Sequence, residues 1–244
     1  MNIDILNGCV GLEYAIPAMR NSWKQYAYKS DSGYVEIPVP EGVDIPEGAG
    51  PRSKIYYVGD ADMKLVHSLV KAGPSHRKLL RMIFCYMDVI APLYWWKQFD
   101  THRFGVEKIS ESTMHSILVD PFDIGDFEPL EFEFENEEQK YKVDPDRATY
   151  DLMEIISKLN HYRLQAIDDL KNKAMHERII YSLLPDSYLQ RRTVCMSYEA
   201  MYAMWLIRKN HKLPQWVKFC NAIEGINEFK ELCLSDPSSK AEEE

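Results

Sequence analysis

The sequence lacks surplus positive charge, paired cysteines and any long apolar run, and each lack excludes a class of function. Lysine and arginine number 29 against 38 aspartates and glutamates, for a net charge of −9. A broad, sequence-blind grip on DNA or RNA needs a basic face, so no nucleic-acid partner is expected. A small anionic ligand stays possible, because a few local arginines can overrule the net field. The five cysteines (Cys9, Cys85, Cys195, Cys220, Cys233) form no Cys-x-x-Cys pair. Three of them sit in apolar segments and read as buried free thiols in a reducing compartment. No charged-then-apolar leader opens the sequence, and no apolar run approaches the roughly 20 residues of a membrane helix. No membrane partner is expected, and the expected location is the cytoplasm.

The common catalytic signatures are missing too. There is no G-x-x-x-x-G-K-[ST] phosphate loop and no G-x-G-x-x-G after a strand. Without H-E-x-x-H or Cys-x-x-Cys, no metal site has support. No G-x-S-x-G elbow is present, and no cysteine has an electropositive setting for nucleophilic work. An enzyme built on this chain would borrow its hard chemistry from a cofactor.

What is present is an ordinary globular balance over 244 residues, 45% hydrophobic and 27% charged. That is enough for one large domain with a real core. Residues 11–28 read as a helix, with Leu12, Ile16, Met19 and Trp23 at three- and four-residue spacing. Residues 29–54 are a Pro/Gly-rich loop. Asp60 is placed to cap a helix running to residue 72, with Met63, Val66, Leu69 and Val70 on one face; Gly73 and Pro74 stop it. RMIFCYMDV has the continuous apolar character of a strand buried on both faces.

Pro92 then starts a helix bearing Trp95 and Trp96, which point about 100° apart, so at most one faces a given ligand. Residues 120–138 form an acidic, aromatic-dotted stretch expected as a solvated loop with one hairpin arm. A long amphipathic helix follows, carrying Leu152, Ile155, Ile156, Leu159, Tyr162, Ala166 and Leu170 on one stripe. Helices are also expected over 197–208 and 214–224, then a disordered acidic tail at 235–244. With no repeat and no sharp boundary, the expectation is a single α+β domain over 1–234, with loop insertions at 29–54 and 118–147.

Three polar clusters stand against apolar neighbours. The first is Ser75, His76, Arg77 and Lys78. The second runs through Lys97, Gln98, His102, Arg103 and Lys108 to Ser110 and Ser112. The third is Arg208 with Lys209, His211 and Lys212, closing the apolar helix MYAMWLIR. Arg103 and Arg208 each suit a phosphate, and Gln98 carries the donor and acceptor that a pyrimidine edge demands. Histidine or arginine at a helix C-terminus serves equally as a partner of the helix dipole. Spacing alone leaves both readings open.

The order of segments resembles the flavin-dependent thymidylate synthases, the ThyX family. Their fingerprint is a proline-led helix ending in Gln-x-x-Arg-His-Arg, then seven residues and a serine, with a histidine-bearing lead-in strand before it. Here PLYWWKQFDTHR matches the proline, Gln98, His102 and Arg103 without a gap, and His76 falls on the lead-in histidine. LLP at 183–185 resembles the family's Leu-Pro step; a gap-free count from Pro185 puts Arg208 on its nucleotide-binding arginine. The likeness spans about residues 60–225. It departs at Thr101, where the motif has its first arginine, and at Glu111, which replaces the serine and is flanked by Ser110 and Ser112. It departs again at Thr113 or Met114, where the family has an arginine, and at Ser197 and Glu199 in the helix with Arg208.

The resemblance implies an α+β subunit with a small central, mostly antiparallel sheet flanked by helices, in a homotetramer with FAD between subunits. It implies transfer of a one-carbon unit from methylenetetrahydrofolate to C5 of dUMP or a related pyrimidine nucleotide, with NADPH as reductant. His102, Arg103, Gly105 and Lys78 would hold the flavin. Gln98, Ser110, Glu111, Ser112, Arg178 and Arg208 would meet the nucleotide. Gln98, Arg208 and His76 would form the catalytic pocket, with Lys108, Arg178 or the lysine of the Arg77-Lys78 pair replacing lost phosphate contacts. The departures leave a second expectation, a catalytically degenerate scaffold that binds a nucleotide or a partner.

Overall fold

RMIFCYMDV does form a strand, but its burial alternates. The structure is a computed structural model and describes residues 1–23, 29–36, 54–129 and 145–235. Strand β4 covers Phe84–Pro92, counting β1 at Asn2–Val10, β2 at Gly33–Glu36 and β3 at Lys54–Tyr57. Cys85, Met87, Val89 and Ala91 point into the core, while Tyr86 is exposed. The expectation of burial on both faces is corrected to one face, because side chains in a strand alternate sides with period two. β5 (Val106–Ser110) and β6 (Leu189–Ser197) complete a four-stranded sheet in the order β1, β4, β6, β5. The fold is α+β with a small antiparallel sheet.

The chain divides into two compact units. The first comprises Met1–Asp4, Asp88–His102 and Lys108–Thr193; the second comprises Ile5–Met87, Arg103–Glu107 and the chain from Val194 on.

In the first unit, α3 (Leu93–Phe99) buries Trp95, Trp96 and Phe99 completely. Their rings meet edge-on or tilted at centroid distances of 4.9 to 5.3 Å. Each such ring contributes about 2–3 kcal/mol by burial and the pairs about 1 kcal/mol more. After the short α4 (Thr113–Ser116) come α5 (Pro145–Asp168) and α6 (Lys173–Leu183). Leu152, Leu159 and Ile180 pack with Ile117, Phe122 and Phe127. The acidic stretch is therefore anchored where it is described rather than wholly solvated. Phe122 exchanges two 2.8 Å hydrogen bonds with Asn160, and Phe127 forms a β-bridge with Tyr188. Residues 130–144 lie outside the described range. Leu170 falls beyond the end of α5 and is exposed, so the apolar stripe stops at Ala166.

In the second unit the expected helix over 11–28 is shorter. α1 spans Leu12–Ala18, with Pro17 inside it, and tightens into a 3-10 turn at Met19–Trp23. Proline cannot donate its backbone bond, which weakens further α-helical winding. Gly11 holds φ +92 at the start, and a Cβ there would stand 2.6 Å from the Met82 carbonyl. The expected loop over 29–54 is bounded by a hairpin, β2 pairing antiparallel with β3, while residues 37–53 lie outside the described range. α2 runs Asp60–Lys71, and Asp60 is its first helical residue rather than its cap. The capping carboxylate is Asp31, which accepts from the backbone of Ala61 at 2.8 Å and Asp62 at 3.0 Å. A carboxylate at a helix N-terminus satisfies orphan donors wherever in the sequence it comes from.

α7 (Tyr198–Arg208) and α8 (Pro214–Glu224) lie where expected. Ser197 caps α7 by accepting from Ala200 N, and proline opens α8. The tail from residue 236 on lies outside the described range.

Candidate functional site

The end of α3 positions Lys97, Gln98 and His102 of the second polar cluster within the first unit, which also holds Lys108, Ser110 and Ser112, while Arg103 falls in the second. Trp95 and Trp96 are both core, and Trp96 Nε1 donates to the Gln190 carbonyl at 3.0 Å. Gln98 is half-buried, and its carbonyl accepts from Thr101 Oγ1 at 2.7 Å. His102 is half-buried and closes the turn by donating its backbone N–H to Phe99 O at 3.0 Å. Thr101, which stands where the resembled motif has arginine, thus serves the helix end with its hydroxyl.

Asp100 is the centre of a network that sequence reasoning missed. Arg192 Nη1 donates to its two oxygens at 3.0 and 3.1 Å, and Lys108 Nζ lies 2.7 Å away. The Arg192 guanidinium lies over the Trp96 ring at 4.3 Å, and its Nε donates to Gln190 Oε1. Gln190 Nε2 donates in turn to the Glu111 carbonyl at 2.9 Å. Partial burial pushes the Asp100 carboxyl up; hydrogen bonds and charge from Lys108 and Arg192 outweigh it and hold it below the usual range. Lys108, expected as a spare phosphate contact, is committed to this carboxylate.

Ser110 and Glu111 line a cavity of about 690 Å³ with Ile90, Asp126, Arg191 and Thr193. Arg191 is its cation, 60% exposed and 3.9 Å from Asp88, whose other oxygen accepts from Thr193. Glu111 and Asp126 oppose an anion there, so the cavity favours a ligand presenting hydroxyls or ring donors beside one negative group. Ser112 is exposed at the start of α4, and Arg178 is exposed on α6; neither lines this cavity.

In the second unit, His76 and Lys78 line a cavity of about 410 Å³ with Ala15, Ala18, Met19 and Met82. Arg77 between them is turned away and only 7% exposed, paired with Glu199 and stacked 4.8 Å over the Tyr202 ring. Arg103 is exposed with no ion pair among the described residues, and Phe104 beside it is 95% exposed. Gly105 holds φ +68 against Ser197, whose backbone N–H donates to the Gly105 carbonyl at 2.8 Å. A side chain at that glycine would collide with the cap of α7.

Arg208 lies 4.6 Å over the Trp216 ring, and its Nε is buried without a hydrogen-bond partner. Burial, then the charges of Arg208 and Lys212, push the neighbouring His211 below the usual histidine range. The five cysteines are free thiols, and burial pushes Cys85 and Cys220 up to about 12. No group of metal-ligating side chains is found among the described residues, and none of their helices is long and apolar enough to cross a membrane.

No protein-family model matches the chain, and no curated protein matches it. Solved structures do. The flavin-dependent thymidylate synthase ThyX from Helicobacter pylori, complexed with FAD and dUMP, is 13% identical with a TM-score of 0.59, covering 97% of this chain and 99% of that one. A second structure of ThyX from the same organism, with FAD and dUMP, matches at 13% identity and TM-score 0.59, covering 97% and 98%. Similarity along nearly the full length of both chains, at that identity, shows the architecture: this chain has the fold of the ThyX thymidylate synthases.

Proposed function

We propose that the protein is a flavin-dependent thymidylate synthase-like enzyme. It would bind FAD, take reducing equivalents from NADPH, and move a one-carbon unit from methylenetetrahydrofolate to C5 of dUMP or a related pyrimidine nucleotide. The observation that carries this reading is the full-length likeness to ThyX enzymes complexed with FAD and dUMP. The gap-free Gln98, His102 and Arg103 at the end of a proline-led helix support it.

The residues fit a flavin nucleotide. Arg103 presents a guanidinium with no ion pair among the described residues, next to the bare Phe104 ring, a pairing suited to a phosphate beside an aromatic system. Gly105 would set the backbone after Phe104 through its close packing on Ser197. Lys78 adds a second exposed cation, and His102 a ring donor. Bound flavin would supply the hydride chemistry that no side chain of this protein offers. Gln98 would orient the pyrimidine edge. Arg208, whose buried Nε has no hydrogen-bond partner among the described residues, would take a nucleotide phosphate, and Ser110, Ser112 or Arg178 are the first unit's candidates for that role. His76 would act from the cavity it lines in the second unit. The working form would be a homotetramer in the cytoplasm.

One observation favours a second reading, a scaffold that binds without turning over. Glu199 and Asp100 take up Arg77 and Lys108, and Glu111 and Asp126 put two carboxylates around the Ser110 cavity. Tritium release from C5-labelled dUMP, with FAD, NADPH and methylenetetrahydrofolate present, separates the two. Release that depends on Gln98 and Arg208 supports the enzyme. Nucleotide binding without release supports the scaffold.

A further inference from the structure

A third concavity shares no lining residue with the two cavities above. α2 carries Lys64, His67, Ser68 and Lys71 at spacings of three, four and seven, which is one stripe of a helix. Such a stripe is usually a solvated face. Here Tyr202 of α7 and the π-turn at Lys230–Leu234 stand beside it and close a cavity of about 610 Å³, floored by Leu232 and Cys233. That volume lies within the ~300–1,000 Å³ of small-molecule sites.

Its chemistry is one-sided. Among the described residues, neither Lys64 nor Lys71 has an ion pair, and none of the lining side chains is a carboxylate. His67 Nε2 lies 2.7 Å from the Glu231 carbonyl, which only accepts, so that nitrogen carries the proton and the ring is fixed in place. Ser68 adds a hydroxyl. Two uncommitted ammonium groups on the rim of a partly apolar concavity form a local exception in a chain of net charge −9. Tyr202 supplies an aromatic wall, backed by Arg77 at 4.8 Å and lying nearly parallel to Trp205, with centroids 6.2 Å apart.

We propose that this cavity binds a small organic phosphate: the phosphate group is held by Lys64, Lys71 and Ser68, and the organic body lies against Tyr202 and Leu232. The site does not rest on the proposed enzymatic function and is separate from the residues assigned to it.

Isothermal titration with adenosine 5′-monophosphate, adenosine and inorganic phosphate tests it on the full chain. The expected result is saturable binding of the monophosphate, weaker binding of phosphate and none of adenosine. The Lys64→Ala/Lys71→Ala double variant, which alters two exposed side chains, is expected to weaken binding by at least about tenfold, whereas Lys218→Ala leaves it unchanged. Binding that the double variant leaves intact overturns the proposal. So does a parent protein that binds neither phosphate nor the monophosphate at millimolar concentration.

Discussion

Arg77 donates two hydrogen bonds to Glu199, Nε to Oε2 at 2.7 Å and Nη2 to Oε1 at 3.1 Å, with both side chains largely buried. His76 and Lys78, on either side of Arg77, instead line a cavity. Glu199 stands in the helix region where the resembled enzymes carry arginine, and here its charge is answered within the same unit. Removing one partner of such a pair leaves an uncompensated buried charge. Glu199→Ala is expected to destabilise the protein by roughly 3 kcal/mol. Glu199→Gln, which keeps one acceptor, should cost less. The denaturant midpoint reads both.

Asp100 makes the structure sensitive to acid. Its folded carboxyl is held below the ordinary value of about 3.9. A group depressed on folding contributes stability that is present above its unfolded value and lost as pH falls through the folded one. The protein should therefore lose stability below about pH 4, and Asp100→Asn should flatten that part of the profile. The side chain is 41% exposed, so solvent screens part of the effect. Thermal midpoints recorded across that pH range check it.

The same network marks where sequence reading stopped. LQRRTVCMS carries no local signal for strand β6, since two adjacent arginines look like surface. Arg192 is mostly buried because Asp100, 92 residues away, and the Trp96 ring receive it. No local pattern encodes such a partner. Asp31 capping α2 across the chain is a similar case. α7 and α8 were legible because their signals are local: Ser197 caps one and Pro214 opens the other. Of the candidate site, the order Gln98, His102, Arg103 can be read in the sequence only through its resemblance to the ThyX motif. That Lys108 and Arg77 are committed to carboxylates cannot be read there, since ion pairs are chosen by the fold.

Buried thiols should be inert. Burial pushes Cys9 up to about 11 and Cys85 and Cys220 up to about 12, leaving almost no thiolate at pH 8. Alkylation of these three in the native protein is expected to be at least about a hundredfold slower than in the unfolded chain. Mass spectrometry of iodoacetamide-treated protein with and without denaturant measures the ratio.

Thr101→Arg restores the charge that the resembled motif carries. Position 101 is exposed, and its hydroxyl makes a single local hydrogen bond to the Gln98 carbonyl, so the fold should tolerate the change. On the proposed function, FAD should bind about tenfold more tightly, as one added charge-assisted contact allows. Fluorescence titration of FAD against parent and variant gives the ratio.

The most direct test is the visible absorption spectrum of the protein after incubation with FAD and removal of free cofactor. The expected result is a flavin spectrum that stays with the parent protein and is lost from Arg103→Ala. A colourless parent, or an Arg103→Ala variant that retains flavin as well as the parent does, would contradict the flavoenzyme account.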